Sequence, residues 1–206
     1  MTHRGELTGE LPEPDWDAVW GRNLGKNLTV FRVYSGLRFR SYRRLFSGLD
    51  LEGRGVLEIG GGTGQLGSML GREFKCNVTL IDDSEEAFRF HSRFGIKGVD
   101  YVRGDVFRHE GVYHLVYSDG LIEHYRGAKR EDLIRRHSLL CGEGGYTAFF
   151  VPKKSFFVDM FLTLRGYYEE KYDVDGITSE LEENGLEVLK TVEDFHMIGV
   201  LCEQRG

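Results

Sequence analysis

The chain has 206 residues, 40% of them hydrophobic and 29% charged, with a formal net charge of −6. That composition suits one globular domain with a sizeable core, and no apolar run approaches the roughly 20 residues that cross a bilayer. Cys76, Cys141 and Cys202 are far apart and odd in number, which argues against both a disulfide framework and a structural zinc site.

The opening stretch, MTHRGELTGELPEPD, is polar and acidic. It does not read as a signal peptide, so a reduced, cytoplasmic setting is expected, with the first fifteen residues loosely ordered. Apolar residues then recur at helical spacing: Trp16, Val19, Trp20, Leu24, Leu28 and Phe31. Two helices are expected between 16 and 49, broken near Ser35 and Gly36. From 21 to 49 there are seven basic residues, Arg22, Lys26, Arg32, Arg38, Arg40, Arg43 and Arg44, and no acid. Such a run suits either an anionic partner or a solvated helical face paired with acids elsewhere.

After Gly53 strands and helices alternate. GVLEIG is a strand and GQLGSMLGREF a helix; CNVTLID is a strand, and SEEAFRFHSRFG a helix capped by Ser84 and stopped by Gly95. GVDYVRGD and VYHLVYSDG are further strands, REDLIRRHSLL a helix, and GGYTAFFVP a fifth strand ending at Pro152. An aromatic-rich segment, SFFVDMFLTLRGYY, precedes GITSELEENG, a helix with a Thr/Ser start and Gly185 as its stop. LEVLKTVED and FHMIGVLCEQ close the chain as two strands with few residues between them. Alternation implies a parallel sheet covered on both faces, and a tight connection forces the last pair to run antiparallel. The expected architecture is therefore an α/β, three-layer Rossmann-like sandwich. Its seven-stranded, mostly parallel sheet has a reversed last strand, and N-terminal helices are added. Residues 1–52 read as a helical extension or lid, and 53–206 as the core with an insertion at 153–175.

The stretch VLEIGGGTGQLG places Glu58 inside an apolar strand, followed by Gly60, Gly61, Gly62, Thr63 and Gly64. A buried carboxylate is costly without a partner, and glycines allow a ligand to approach the backbone closely. Residues 62–67 match G-x-G-x-x-G, a dinucleotide signal. The match begins two residues beyond the expected strand end, however, and an acid inside the strand has the wrong sign for a pyrophosphate.

The set E-x-G-G-G-T-G closely resembles the first motif of the class I S-adenosylmethionine (SAM) methyltransferases, whose ligand carries an ammonium and a sulfonium and no phosphate. The resemblance spans about residues 53–206. It implies SAM as the cofactor and S-adenosylhomocysteine (SAH) as its product. It implies that Asp82 accepts the ribose hydroxyls, with Asp83 beside it, and that Asp105 and the Val106 amide meet the adenine. Ser118 is implied to lie at the cofactor too. In SDGLIEHY the resemblance places Glu123 and His124 next to the methyl group. His124 then serves either as a general base or as a histidine that orients the loop. Some relatives carry E-x-x-E-H here and bind a divalent cation; this chain has Gly120 where the first Glu belongs, so no metal is expected. His114 also stands where the family pattern has Asp.

Acceptor recognition is expected from outside the core pattern. Trp16, Trp20, Tyr34 and Tyr125, with Phe156, Phe157, Tyr167 and Tyr168, would wall a pocket or simply pack on the sheet. The acceptor is expected to be a small molecule with an O or N nucleophile, anionic if the basic run steers it. A membrane-surface role for the basic helices is the alternative, and nucleic acid is not expected in an acidic chain without an RNA-binding module. The competing functions are a SAM-binding protein without turnover, acting as a sensor or partner subunit, and a nicotinamide-dependent oxidoreductase.

Overall fold

A computed structural model describes residues 11–23, 28–155 and 166–205, and the side chains among them except those of 22, 23 and 28–32. The loose order expected at 1–10 lies outside these residues, as do Leu24, Lys26, Phe156 and Phe157, positions 156–165 of the expected insertion, and the side chains of Arg22, Leu28, Phe31 and Arg32.

Seven strands form one sheet: β1 (Gly55–Ile59), β2 (Asn77–Asp82), β3 (Asp100–Arg103), β4 (Tyr113–Asp119), β5 (Cys141–Pro152), β6 (Leu186–Glu193) and β7 (Met197–Gln204), in the order β3-β2-β1-β4-β5-β7-β6. Strands β1 to β5 pair in parallel, and β7 runs antiparallel to both β5 and β6. Three residues separate β6 from β7, so a hairpin is the only connection that fits. Among the described residues six helices accompany the sheet: α1 (Trp16–Asn23), α2 (Leu28–Leu45), α3 (Gln65–Phe74), α4 (Glu85–Phe94), α5 (Gly127–Leu140) and α6 (Val174–Glu183). The expected seven-stranded fold with a reversed last strand is the one observed.

Alternation along β1 divides the core. Leu57 and Ile59 join a cluster with Leu133 and Ile134 of α5 and Ile177 and Leu181 of α6. Val56 faces the other way, into a cluster with Leu115, Tyr117, Phe150, Leu70 of α3, Phe39, Tyr42 and Leu45 of α2, and Phe46 just after it. The expected boundary at 52/53 lies between α2 and β1, yet three α2 side chains, and Phe46 after them, belong to this second cluster. Tyr42 stacks on Phe150 with ring centroids 4.3 Å apart.

Two sequence expectations need correction. The break near Ser35 and Gly36 does not occur, since α2 runs unbroken through both; the separation falls earlier, with α1 ending at Asn23 and α2 starting at Leu28. Burial of Phe39, Tyr42, Leu45 and Phe46 outweighs the weak helix preference of Ser and Gly. The last helix also begins earlier than expected. Asp173 caps it by accepting from the Gly176 amide, while Thr178 bonds back to Val174 O inside the helix.

Among the described residues no helix is long and apolar enough to cross a membrane. The ends of β1 and β4 meet where β2 and β4 diverge on either side of β1, the switch point at which such sheets leave a crevice. Gly36 is exposed, and a Cβ added there would meet open space. Gly36→Ala should therefore raise stability by about 0.5–1 kcal/mol in chemical denaturation, the difference in helix propensity.

Candidate active site

The loop after β1 is built around Glu58. Its register neighbours are Leu80 on β2 and Tyr117 on β4, so its side chain lies under the loop on the α2–α3 face. It is 1% exposed, and its Oε2 has no hydrogen-bond partner. Burial is the main cause that lifts its pKa to about 8, and the nearby Asp119 charge adds to it. The Tyr117 hydroxyl and the Gly67 amide oppose the rise without reaching normal hydrogen-bond geometry to Oε2. Gly67 is required here because a Cβ would collide with Glu58 Oε2. At Gly62, with φ +56°, a Cβ would strike the Trp20 ring, which rests on the loop.

A cavity of about 360 Å³ opens beside this loop, lined by Gly60, Asp82, Asp83, Asp105, Val106, Leu121, Trp16, Trp20 and Tyr125, among others. The acids expected at the ends of β2 and β3 are thus brought together. Asp82 is buried, and both of its oxygens already hold backbone: Oδ2 accepts from Gly62 N at 2.8 Å and Oδ1 from Ser84 N at 2.9 Å. Burial lifts its pKa to about 6 against those two bonds. Each oxygen keeps a further lone pair for a ligand hydroxyl. Asp105 is exposed and accepts from Phe107 N, which starts a short 3-10 turn at Val106–Arg108. Ser118 does not line this cavity. Its Oγ lies 3.0 Å from Nε2 of the buried His137, whose Nδ1–H donates to Leu133 O, so it braces β4 against α5.

A second cavity, about 340 Å³, shares Trp20, Gly60, Asp119 and Gly120 with the first. Glu58, Gly61 and Thr63 line it on one side, and Tyr34, Arg38, Glu123, His124, Glu169 and His196 on the other. His124 Nδ1 lies 2.9 Å from Tyr168 O and, as the only partner that oxygen allows, donates to it; Nε2 therefore carries the lone pair. Burial lowers the His124 pKa, against the Tyr168 bond. Trp16 meets its ring edge-on, with centroids 5.0 Å apart. The Tyr34 hydroxyl lies 2.7 Å from His196 Nε2, and His196 Nδ1 lies 3.1 Å from Asp194 Oδ1. Burial pushes the Tyr34 hydroxyl up to about 12, with the Arg38 charge opposing.

Arg38 is 1% exposed and joins three elements: its guanidinium binds Asp119 at 2.6 Å at the end of β4 and also Asp194 in the β6–β7 turn. Tyr42 donates to Asp119 at 2.8 Å and Ser41 to Asp194 at 2.7 Å. Burial acts to raise the Asp194 carboxyl, but His196, Arg38 and Ser41 together hold it well below the usual range. Of the basic run, Arg43 pairs with Glu73 and Arg44 donates to Glu193 O, both on the surface.

Asp194, His196, Glu169 and the buried role of Arg38 escaped the sequence reading. Arg38 is 156 residues from Asp194, and no local pattern marks such a pair. The one available signal was a basic run without an acid to balance it. Among the described residues no three His, Cys, Asp or Glu side chains converge as a metal site.

No protein-family model and no curated protein sequence matches the chain. Solved structures do match its fold. DhpI in complex with SAH aligns over 92% of this chain and 93% of its own, with a TM-score of 0.70 and 17% identity. Magnesium protoporphyrin IX methyltransferase (ChlM) from Synechocystis PCC 6803, with bound SAH, aligns over 93% and 95%, with a TM-score of 0.69 and 15% identity. The glycopeptide N-methyltransferase MtfA aligns over 82% and 90%, with a TM-score of 0.64 and 15% identity.

Glu58 gives a pH signature. Its folded pKa of about 8 stands above the ordinary 4.5, so the folded chain holds a proton that the unfolded chain releases between those values. Stability falls as pH rises through that window. Glu58→Gln removes the effect and should stabilise the ligand-free protein by roughly 3 kcal/mol more at pH 8 than at pH 5, read from denaturation curves.

Proposed function

We propose that this chain, which has the fold of the class I SAM-dependent methyltransferases, binds SAM across the two joined cavities and methylates the oxygen or nitrogen of a small molecule. The observation that carries the reading is the buried, unpaired carboxyl of Glu58 beneath the glycine loop. Burial holds it protonated up to about pH 8, and a cationic ligand group would draw it into its charged form, whereas a diphosphate, as an NAD-type ligand would bring, could only oppose that ionisation.

The adenosine half belongs in the first cavity, with Asp82 toward the ribose and Asp105 and Val106 toward the base. The amino-acid half belongs over Gly61, Gly62, Thr63 and Gly64. When bound, SAM supplies an activated methyl group on a sulfonium. The chain's own work is alignment and exclusion of water, which together account for roughly 7–11 kcal/mol of a typical barrier. Trp16 and Trp20 of α1 form the lid. Asp17 latches that helix to the start of α4 by accepting from Ser84 Oγ at 2.7 Å and Glu86 N at 3.2 Å. On the acceptor side, His124 Nε2 takes the proton that the nucleophile loses. Tyr34, through His196 and Asp194, offers a second route for it. Tyr34 stands on the wall of the second cavity, where an acceptor would touch it, while Tyr125 lines the first, on the adenosine side.

The direct test is calorimetry with SAH and, separately, NADH, followed by transfer of labelled methyl from SAM to pooled acceptors. SAH should bind and NADH should not; tight NADH binding with no SAH binding would sink the reading. Binding of SAH with no product from any pool would favour the sensor reading. Asp82→Ala should weaken SAH binding tenfold or more, about the value of two hydrogen bonds. His124→Ala should leave SAH affinity within about twofold and lower kcat on the first acceptor found.

A further inference from the structure

Resting on the reading above, we infer that the acceptor is a primary or secondary amine, captured as its ammonium ion by the buried carboxyl of Glu123 in the second cavity.

Four carboxyl side chains line that cavity, those of Glu58, Asp119, Glu123 and Glu169, against a single cationic side chain, Arg38. Arg38 offers no free positive charge. One guanidinium nitrogen binds Asp119 and another binds Asp194, and its Cζ lies 5.3 Å from the centroid of the Phe150 ring. The basic run therefore presents no unpaired cation to an anionic acceptor among the described lining residues.

Glu123 presents an unpartnered carboxyl oxygen on the acceptor side. It is 2% exposed, and its Oε2 has no hydrogen bond. Its Oε1 is 3.7 Å from His124 Nε2, beyond hydrogen-bond reach. The turn that holds it, Ile122–His124, is fixed from both sides: Glu170 N donates to Glu123 O at 2.9 Å, and His124 is tied to Tyr168 O. A buried acid in that state is destabilising until a donor reaches it. An ammonium supplies both the donor and the opposite charge. Burial raises the Glu123 carboxyl well above its ordinary range, with the Glu169 and Asp119 charges adding to it and Arg130 opposing; an ammonium would reverse that rise, whereas a carboxylate or phosphate would add to it.

The neighbouring His124 makes the capture productive. An ammonium has no lone pair, so it must lose one proton before it reacts. His124 Nε2 accepts that proton and becomes imidazolium. The freed nitrogen lone pair forms the new N–C bond to the methyl group as the C–S bond breaks and its electron pair stays on sulfur. The product is again an ammonium, paired with Glu123.

The test uses SAH-loaded protein and two isosteric trios of probes: benzylamine, benzyl alcohol and benzoate, and butylamine, butanol and butyrate. Calorimetry should show the amine of at least one trio binding tenfold or more tightly than its alcohol, with no detectable carboxylate binding. Glu123→Gln should lower that amine affinity at least tenfold while SAH affinity stays within twofold. Carboxylates binding as well as amines, no amine binding in either trio, or undiminished amine binding by Glu123→Gln would overturn the inference. If Glu123→Gln fails to fold, the wild-type selectivity decides alone. Loss of SAH binding by the wild-type protein would instead remove the parent reading, and this one with it.

Discussion

The architecture of the candidate site depends on one buried cation. Arg38 leaves the middle of α2 and holds Asp119, at the end of the central strand β4, and Asp194, in the β6–β7 turn. Removing one member of such a buried set leaves charge without compensation, which typically costs 3–5 kcal/mol. α2 is thereby fastened across the carboxyl end of β4 and the β6–β7 turn, and the stacking of Tyr42 on Phe150 fastens it again one turn later. This clamp makes the second cavity. It places Tyr34 and Arg38 opposite the glycine loop and removes Arg38 from the charges a ligand would meet.

Around the clamp the site carries local costs that the rest of the fold absorbs. Glu58 and Glu123 each bury an oxygen without a partner, whereas buried polar atoms elsewhere in folded proteins are nearly always paired. Both sit at loops that open on the crevice, and both are surrounded by well-packed aliphatic and aromatic clusters. Unpaired buried carboxyl groups beside a ligand crevice are the kind of local conflict expected of function. The solvent-side wall has a different character. α1 rests on the loop through Trp20 and is latched by Asp17, an exposed side chain whose bonds to Ser84 and Glu86 are easily exchanged for water. A helix held that way can open and close without disturbing the sheet.

The core elements were legible because their signals are local. Strand alternation from 55 to 204, the Ser84 cap, the Gly95 stop and the short link before the last strand each reflect backbone geometry over a few residues. The two failures have the same origin. Ser35 and Gly36 read as a break by propensity, but Phe39, Tyr42 and Leu45 on α2 are buried and keep the helix whole. GITSELEENG reads as a helix with a Thr/Ser start, whereas Asp173 caps α6 earlier, through a bond to the Gly176 amide that the residue types alone do not reveal. In the site, Glu58, Asp82 and Asp105 were readable from their places at strand ends. Ser118 was assigned to the cofactor side, yet its hydroxyl faces the core and meets His137; whether a side chain at a strand end turns to the crevice or to the core is a matter of register.

By itself the amino-acid sequence determined the order of strands and helices, the glycine turn with an acid beneath it, and the acids that end the second and third strands, since all of these follow from contacts between residues close in the chain. Only the tertiary structure decided that Arg38 is neutralised, that His196 and Asp194 stand behind Tyr34, and that Glu123 faces a cavity with no partner. Those facts join residues separated by up to 162 positions. Charge pairing at that range depends on which side chains packing brings within a few ångströms, a condition that no short stretch of sequence encodes.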